Sequence, residues 1–360
     1  MKKKIKKETK KLKLKKSIVI IGIASVVIVA GLIVGLFFLN KKTDDNTPSG
    51  NTTTTTPNTP EEKGIKVVDL NSTSRPYAVM INNHPAARPY HSGLQDAYIV
   101  YEIVVEGGMT RYMALFKDQN TERIGSVRSS RHYYLDYALE NDAYYVHWGW
   151  SPQAQSDISS LKVNNINGLT YEGSYFYRDK TLGVALEHTG LTDMGQLNKA
   201  VAKLGYRTDL KKDLLLDYSI DPIDASAKSN TKSANNVSIK YSNSVTTSYV
   251  YDEEAQVYKR FVNSKTHSDY VTKEQYTAKN IITYQVANNS LDSYGRQDLT
   301  NVGSGKGYFI TNGTAIPITW EKSSREAQTI YRYEDGEEII VNDGNTYIQI
   351  QPKGQTLTFE

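Results

Sequence analysis

Three ionisable residues interrupt an otherwise apolar stretch, "EIVVEGGMTRYMALF", residues 102–116. Glu102, Glu106 and Arg111 have no place in a strand that only fills a core, because a buried charge costs several kcal/mol unless it is paired. Two carboxylates close together are the equipment of acid–base chemistry on a glycosidic bond, and an arginine is the equipment for holding a carboxylate or phosphate. The turn decides which chemistry is available. A two-residue turn at Gly107–Gly108 places Val104 opposite Arg111, and Glu102, Glu106 and Arg111 then share one face. A three-residue turn sends Arg111 to the other face.

Further candidates lie nearby. "RIGSVRSSRHYY" (123–134) brings Arg123, Arg128, Arg131 and His132 with small residues between them. Arginines three apart share a helical face, which suggests an anion-binding strip. "VHWGWSP" (146–152) ends a strand with His147, Trp148 and Trp150, "EHTG" (187–190) adds His188, and "THSD" (266–269) adds His267 and Asp269. There is no HExxH, GxSxG, P-loop or GxGxxG spacing, so no metal and no cofactor is expected. "GSGKG" (303–307) lacks the Walker spacing and reads as a turn flanking a strand.

The elements that must position these residues can be read from periodicity. "RPYAVMINN" (75–83), "AYIVYEIVVE" (97–106), "TRYMALFKD" (110–118) and "AYYVHWGW" (143–150) read as strands. Residues 131–142, 151–162 and 191–206 carry apolar positions at helical spacing. After about residue 218 the chain alternates polar residues with Val and Tyr, with strand-like runs at 280–287, 307–312, 328–334 and 346–350 and Asp-Gly turn signals at 335–336 and 343–344. The expected fold class is α+β: a mixed α+β domain at 65–217 followed by a mostly β domain at 218–360. The 27 tyrosines suit half-buried strands whose hydroxyls reach water.

Before these domains come three segments of another kind. Residues 1–16 hold ten lysines and one glutamate, and residues 17–39 form 23 residues without a charge. That length spans a bilayer as a helix and exceeds a signal-peptide apolar region, so 17–39 reads as an uncleaved transmembrane signal-anchor. Lysines before the span put the N-terminus in the cytoplasm and the rest outside the cell membrane as a single-pass protein. Gly31 and Gly35 make a GxxxG step, too common in such spans to fix an oligomeric state. Residues 40–64, rich in Thr, Asn and Pro, read as a disordered linker that holds the domains off the membrane. Without residues 1–16, 33 basic and 38 acidic residues remain, so the outer part carries about −5 and nucleic acid is not an expected partner. The chain has no cysteine, which excludes disulfides, thiolate chemistry and a lipid-modified cysteine within it.

"RPYAVMINNHPAARP", "YIVYEIVVEGGMTRYMALF", "IGSVRSSR", "AYYVHWGWSP", "GSGKGYF" and "NDGNTYIQI" together resemble the YerB-like family, extracytoplasmic proteins of Gram-positive bacteria built on a domain of unknown function. The resemblance covers roughly residues 70–350. It implies a two-part domain displayed outside the membrane and supplies no activity. Mapped by motif, it marks Asn83, His84, Glu102, Glu106, Arg111, Arg128, Arg131, His147 and His188. Many relatives look like lipoproteins, whereas this chain must use its apolar span. A Pro-His-Asn step of the relatives is replaced here by Glu187, His188 and Thr189.

Three readings compete. In the first, Arg111, Arg128 and Arg131, with Asn83, His84 and His188, bind an anionic envelope ligand such as a cell-wall polymer, and Trp148 or Trp150 packs on its apolar or sugar part. In the second, Glu102 or Glu106 is the general acid of a cell-wall glycan hydrolase or lyase, partnered by the other carboxylate or by His147. In the third, the β domain is a scaffold that docks a membrane-bound protein partner. A cation facing Glu106 lowers its pKa, which favours binding over acid catalysis.

Overall fold

Alternating apolar residues and near-continuous Val, Ile and Tyr runs build the centre of the molecule, described for residues 65–360 in a computed structural model. β1 (Tyr77–Asn82), β2 (Ile99–Val104) and β3 (Thr110–Phe116) are buried along their whole length. Strands covered on both faces need no polar alternation, which is why these segments read as apolar runs. β3 lies between β2 and β1 and is antiparallel to both.

These strands belong to an 11-stranded mixed sheet. Its order runs Lys232–Ser233, Thr314–Lys322, Gly303–Thr311, Asn280–Val286, Thr346–Pro352, β2, β3, β1, Tyr144–His147 and Asn165–Asn167, with Ile330–Tyr333 paired to Thr314–Lys322. Strands from both sides of residue 217 therefore share one sheet. Thr346–Pro352 runs parallel to β2 on one side and to Asn280–Val286 on the other. Residues 61–360 form one compact unit.

A smaller sheet, including Asn236–Lys240, Thr246–Asp252 and Val257–Val262, supplies side chains that reach Glu102 on β2. Four α-helices are described: His132–Glu140, Pro152–Ser160, Gly168–Tyr171 and Met194–Leu204. Ser151 caps the second through its side chain and Pro152 starts it; Asp193 caps the fourth, which ends at left-handed Gly205. The class is α+β with strands predominating.

Two local expectations are corrected. "GSGKG" is the first part of the strand Gly303–Thr311 rather than a turn, and two of its glycines are required because Trp320 packs on Gly305 and the Thr283 backbone on Gly307. Asp343–Gly344 does not close a hairpin, since the strand before it, Ile340–Asn342, pairs with Asp217–Ser219. Among the described residues no helix is long and apolar enough to cross a membrane. The arm 1–16, the span 17–39 and the linker 40–64 lie outside the described residues.

Candidate functional site

The β2–β3 connection is the three-residue form. Val105 N–H bonds the Met109 carbonyl at 2.7 Å, and Glu106–Gly108 makes the turn with both glycines at φ 66°. Left-handed backbone at two successive positions is why the sequence has Gly-Gly there. Ile103 then faces Arg111 and Glu102 faces Tyr112. Of the two alternatives the three-residue turn is the one found, and the shared charged face of the other does not form: Arg111 and its cross-strand neighbour Asn82 share one face, and Glu102 belongs to the other.

Arg111 and Asn82 contribute to a cavity of about 330 Å³. Its cationic groups are Arg111, Arg128, Arg131 and Arg296; its lining carboxylate is Glu106; His84 and His188 complete its polar wall. Glu106 is held by Arg131, whose Nε and Nη2 bond its two oxygens, the latter at 2.9 Å, and Arg111 Nη2 stands 3.7 Å away. Burial pushes the Glu106 carboxyl up, but Arg131 and Arg111 outweigh it and hold it below the usual carboxylate range. It stays ionised, the wrong state for a general acid.

Arg111 is 7% exposed and makes one hydrogen bond, from Nη1 to the Ser129 carbonyl at 2.6 Å. Burial, with Arg131 adding to it, lowers its pKa to about 10, and the guanidinium remains charged at neutral pH. Its other N–H groups are without hydrogen-bond partners among the described residues. Arg128 reaches Glu187, Nη2 to Oε1 at 3.5 Å. His84 and His188 stack with ring centres 4.6 Å apart. The extended segment before the helix His132–Glu140 carries Arg128 and Arg131, with Arg131 as its N-cap, so they do not share a helical face as their spacing suggested.

Other expected residues are placed elsewhere. Glu102 is wholly buried and pairs with Arg260 at 2.6 Å, accepting also from Thr110, Thr247 and Asn83. Asn83 is buried beside it and accepts from Arg88 Nε at 2.8 Å, so it serves this network and does not line the cavity. His147 is pinned between the Gly149 carbonyl (2.8 Å) and the Asn165 side chain (3.1 Å), and burial drops its pKa to about 4. Neither Glu102 nor His147 lines the cavity with Glu106.

Trp148 is packed under Gly168 and Gly190, where a side chain would collide with its indole, and Arg178 stacks on it at 4.1 Å. It borders, with Trp150, Arg178 and Leu169, a second cavity of about 360 Å³ that shares Arg128 with the first. Arg123 pairs with Asp179 and His132 with Asp298. His267 and Asp269 lie buried, His267 against Arg260 and His91.

Three site residues were missed from the sequence. Asn82 sits next to Asn83 in "INN", and strand alternation could have separated them. Tyr294 and Arg296 come from the hairpin Asn288–Ser290/Gln297–Leu299, about 185 residues downstream of Arg111, with no local motif.

Family models for a protein of unknown function, DUF3048, match this chain: the N-terminal domain over residues 64–207 and the C-terminal domain over 237–348. YerB of Bacillus subtilis (strain 168), whose name describes it as a candidate lipoprotein, is 33% identical over 292 residues, 80% of this chain and 85% of YerB. The crystal structure of the YerB protein from Bacillus subtilis superposes with a TM-score of 0.69 at 30% identity, covering 79% of this chain and 94% of that one.

Proposed function

This chain belongs to the DUF3048, YerB-like family, and on that premise we propose that it is a membrane-anchored extracytoplasmic protein that binds an anionic cell-envelope ligand between Arg111, Arg128 and Arg131. The lipoprotein description of YerB supports the location, with residues 17–39 serving as anchor in a chain that has no cysteine to lipidate. One observation carries the binding reading. Arg111 is a nearly buried, charged guanidinium on the wall of a cavity, and it makes a single hydrogen bond. Desolvating a guanidinium without filling its donors costs free energy, and a bound carboxylate or phosphate offsets that cost with charge-assisted bonds.

The arrangement speaks against a glycan hydrolase. Glu106 is kept ionised by two arginines, and Glu102 is sealed into a separate ion pair. The test uses residues 61–360, purified Gram-positive cell walls and an Arg111→Met variant verified as folded by circular dichroism. The wild type is expected to co-sediment with the walls and the variant to bind at least about tenfold more weakly, the loss of one hydrogen bond between charged partners. Equal co-sedimentation of the two overturns the binding reading. Release of soluble wall fragments by the wild type but not by the variant makes the protein an enzyme.

A further inference from the structure

The backbone N–H, Oδ1 and Nδ2 of Asn82 are each committed, and the way they are committed fixes a proton elsewhere. Its backbone N–H donates to the Ser126 carbonyl at 2.9 Å. Its side-chain Oδ1 accepts the backbone N–H of His84 at 3.1 Å. A backbone N–H cannot accept, so the atom facing His84 must be oxygen and the amide nitrogen must face the other way. That nitrogen, Nδ2, lies 2.9 Å from His188 Nδ1. An amide nitrogen only donates, so His188 Nδ1 accepts, and a neutral imidazole then carries its one proton on Nε2.

Nε2 of His188 is a donor without a hydrogen-bond acceptor among the described residues. Glu187 Oε1 stands 3.6 Å away, beyond hydrogen-bond reach. His188 is 4% exposed and lines the cavity with Arg111, Arg128 and Arg131. A donor left open to a cation-lined cavity, on a residue otherwise packed away, points to an acceptor that comes from outside. His84 repeats the pattern: its Nδ1 takes the Ala86 N–H at 3.2 Å, so its neutral form also carries the proton on Nε2. The acceptors on the same wall are already engaged, Asn82 Oδ1 by His84 and the Glu106 carboxylate by Arg131.

We propose that Asn82 fixes His188 as an Nε2–H donor, so that the cavity selects a fully deprotonated oxyanion, a carboxylate or a phosphodiester, which brings acceptors alone. The inference rests on the anion-binding reading given above and names its ligand chemistry. Asn82 is a positioning residue; His188 touches the ligand. Because the imidazole acts as a neutral donor, the arginines supply the charge and the histidine supplies direction.

The experiment labels the full chain, in detergent, with 15N-histidine and records long-range 1H–15N spectra; the chain has six histidines, so assignment by single substitution is practical. His188 is expected to show a bare Nδ1 and a protonated Nε2, and Asn82→Asp is expected to move the proton to Nδ1. Three probes are titrated: dimethyl phosphate as a diester, N-acetylmuramate as a sugar carboxylate, and N-acetylglucosamine as an uncharged control. One of the two anions, and not the control, is expected to shift the His188 Nε2 signal, and which one does so distinguishes the two sources. His188→Gln places an amide nitrogen near the position of Nε2 and is expected to hold affinity within about threefold. His188→Asn places it near Nδ1 and is expected to lose about tenfold, one hydrogen bond to a charged group.

A His188 proton found on Nδ1 in the wild type, or equal affinities of the two variants, overturns the inference while anion binding itself stands. If neither anion binds although the proton is on Nε2, the anion-binding reading fails and this inference falls with it.

Discussion

Arg111, Glu106 and the histidines show how burial and pairing assign different jobs to similar residues. Arg111 and Arg260 are both buried arginines, but Arg260 is engaged by Glu102, Tyr112, Tyr249 and His267 while Arg111 bonds one carbonyl. The first is part of the scaffold; the second lines the cavity beside Glu106. His147 gives a measurable consequence of burial. An unfolded histidine takes up a proton below about pH 6.5, whereas folded His147, desolvated and bonded to Gly149 and Asn165, does so only near pH 4. The unfolded state therefore binds more protons across that window. Stability is full above pH 6.5 and falls as the pH drops toward 4, by about 2 kcal/mol from this residue between pH 6.5 and 5. Urea unfolding at pH 7 and pH 5 is expected to show a smaller loss for His147→Asn than for wild type by about that amount; identical losses would contradict it. At this scale the sequence was partly legible. Arg111, Arg128, Arg131 and His188 stand out by type and spacing, His84 is marked by the family resemblance, and all five converge on the cavity. Glu102 stood out equally and does not, because residue type says nothing about which face of a strand it occupies.

The turn between β2 and β3 settles that face. One residue more or less in the loop would exchange Arg111 and Tyr112, so the cavity depends on Gly107 and Gly108 keeping left-handed backbone. The two glycines differ in their surroundings. A Cβ on Gly107 meets nothing within 4 Å, whereas one on Gly108 falls 2.8 Å from Ser242 Oγ, whose hydroxyl donates to the Gly108 carbonyl at 2.5 Å. Gly107→Ala is expected to cost about 1 kcal/mol for its backbone alone, and Gly108→Ala about 1 kcal/mol more. Equal costs in urea titrations would show that Ser242 does not hold the turn. The long elements were readable: the β1, β2 and β3 segments and the helices at His132–Glu140, Pro152–Ser160 and Met194–Leu204 lie within the stretches that periodicity marked. The loop length was not, since Gly-Gly suits two-residue and three-residue turns alike. The hairpin that brings Tyr294 and Arg296 to the cavity was hidden for another reason: its strands are three residues each with a single buried position, too short to carry a hydrophobic period.

Across the whole molecule, the regions matched by the two family domains are held together by the sheet and by buried ion pairs. Thr346–Pro352, from the end of the chain, runs beside β2, and Glu102–Arg260 and Glu140–Lys322 join the first region to the second, with side-chain exposures of 1% or less. Composition marked a change of texture near residue 218 but carried no sign of this pairing, because strand partners distant in sequence leave no local trace. Arg260→Met strands the Glu102 carboxylate in the core and is expected to cost about 3–5 kcal/mol, most of it recovered in the Glu102→Gln/Arg260→Met double variant. Additive costs in chemical unfolding would mean that the pair is not coupled. This frame holds the cavity at the end of β1 and the start of β3, which we propose is filled by an oxyanion. The most direct measurement is an anomalous difference map from crystals of residues 61–360 soaked in cacodylate, an arsenic-bearing oxyanion shaped like dimethyl phosphate. The strongest arsenic peak is expected within hydrogen-bond reach of Arg111 and His188 Nε2; strong peaks elsewhere with that cavity empty would contradict anion binding at this site.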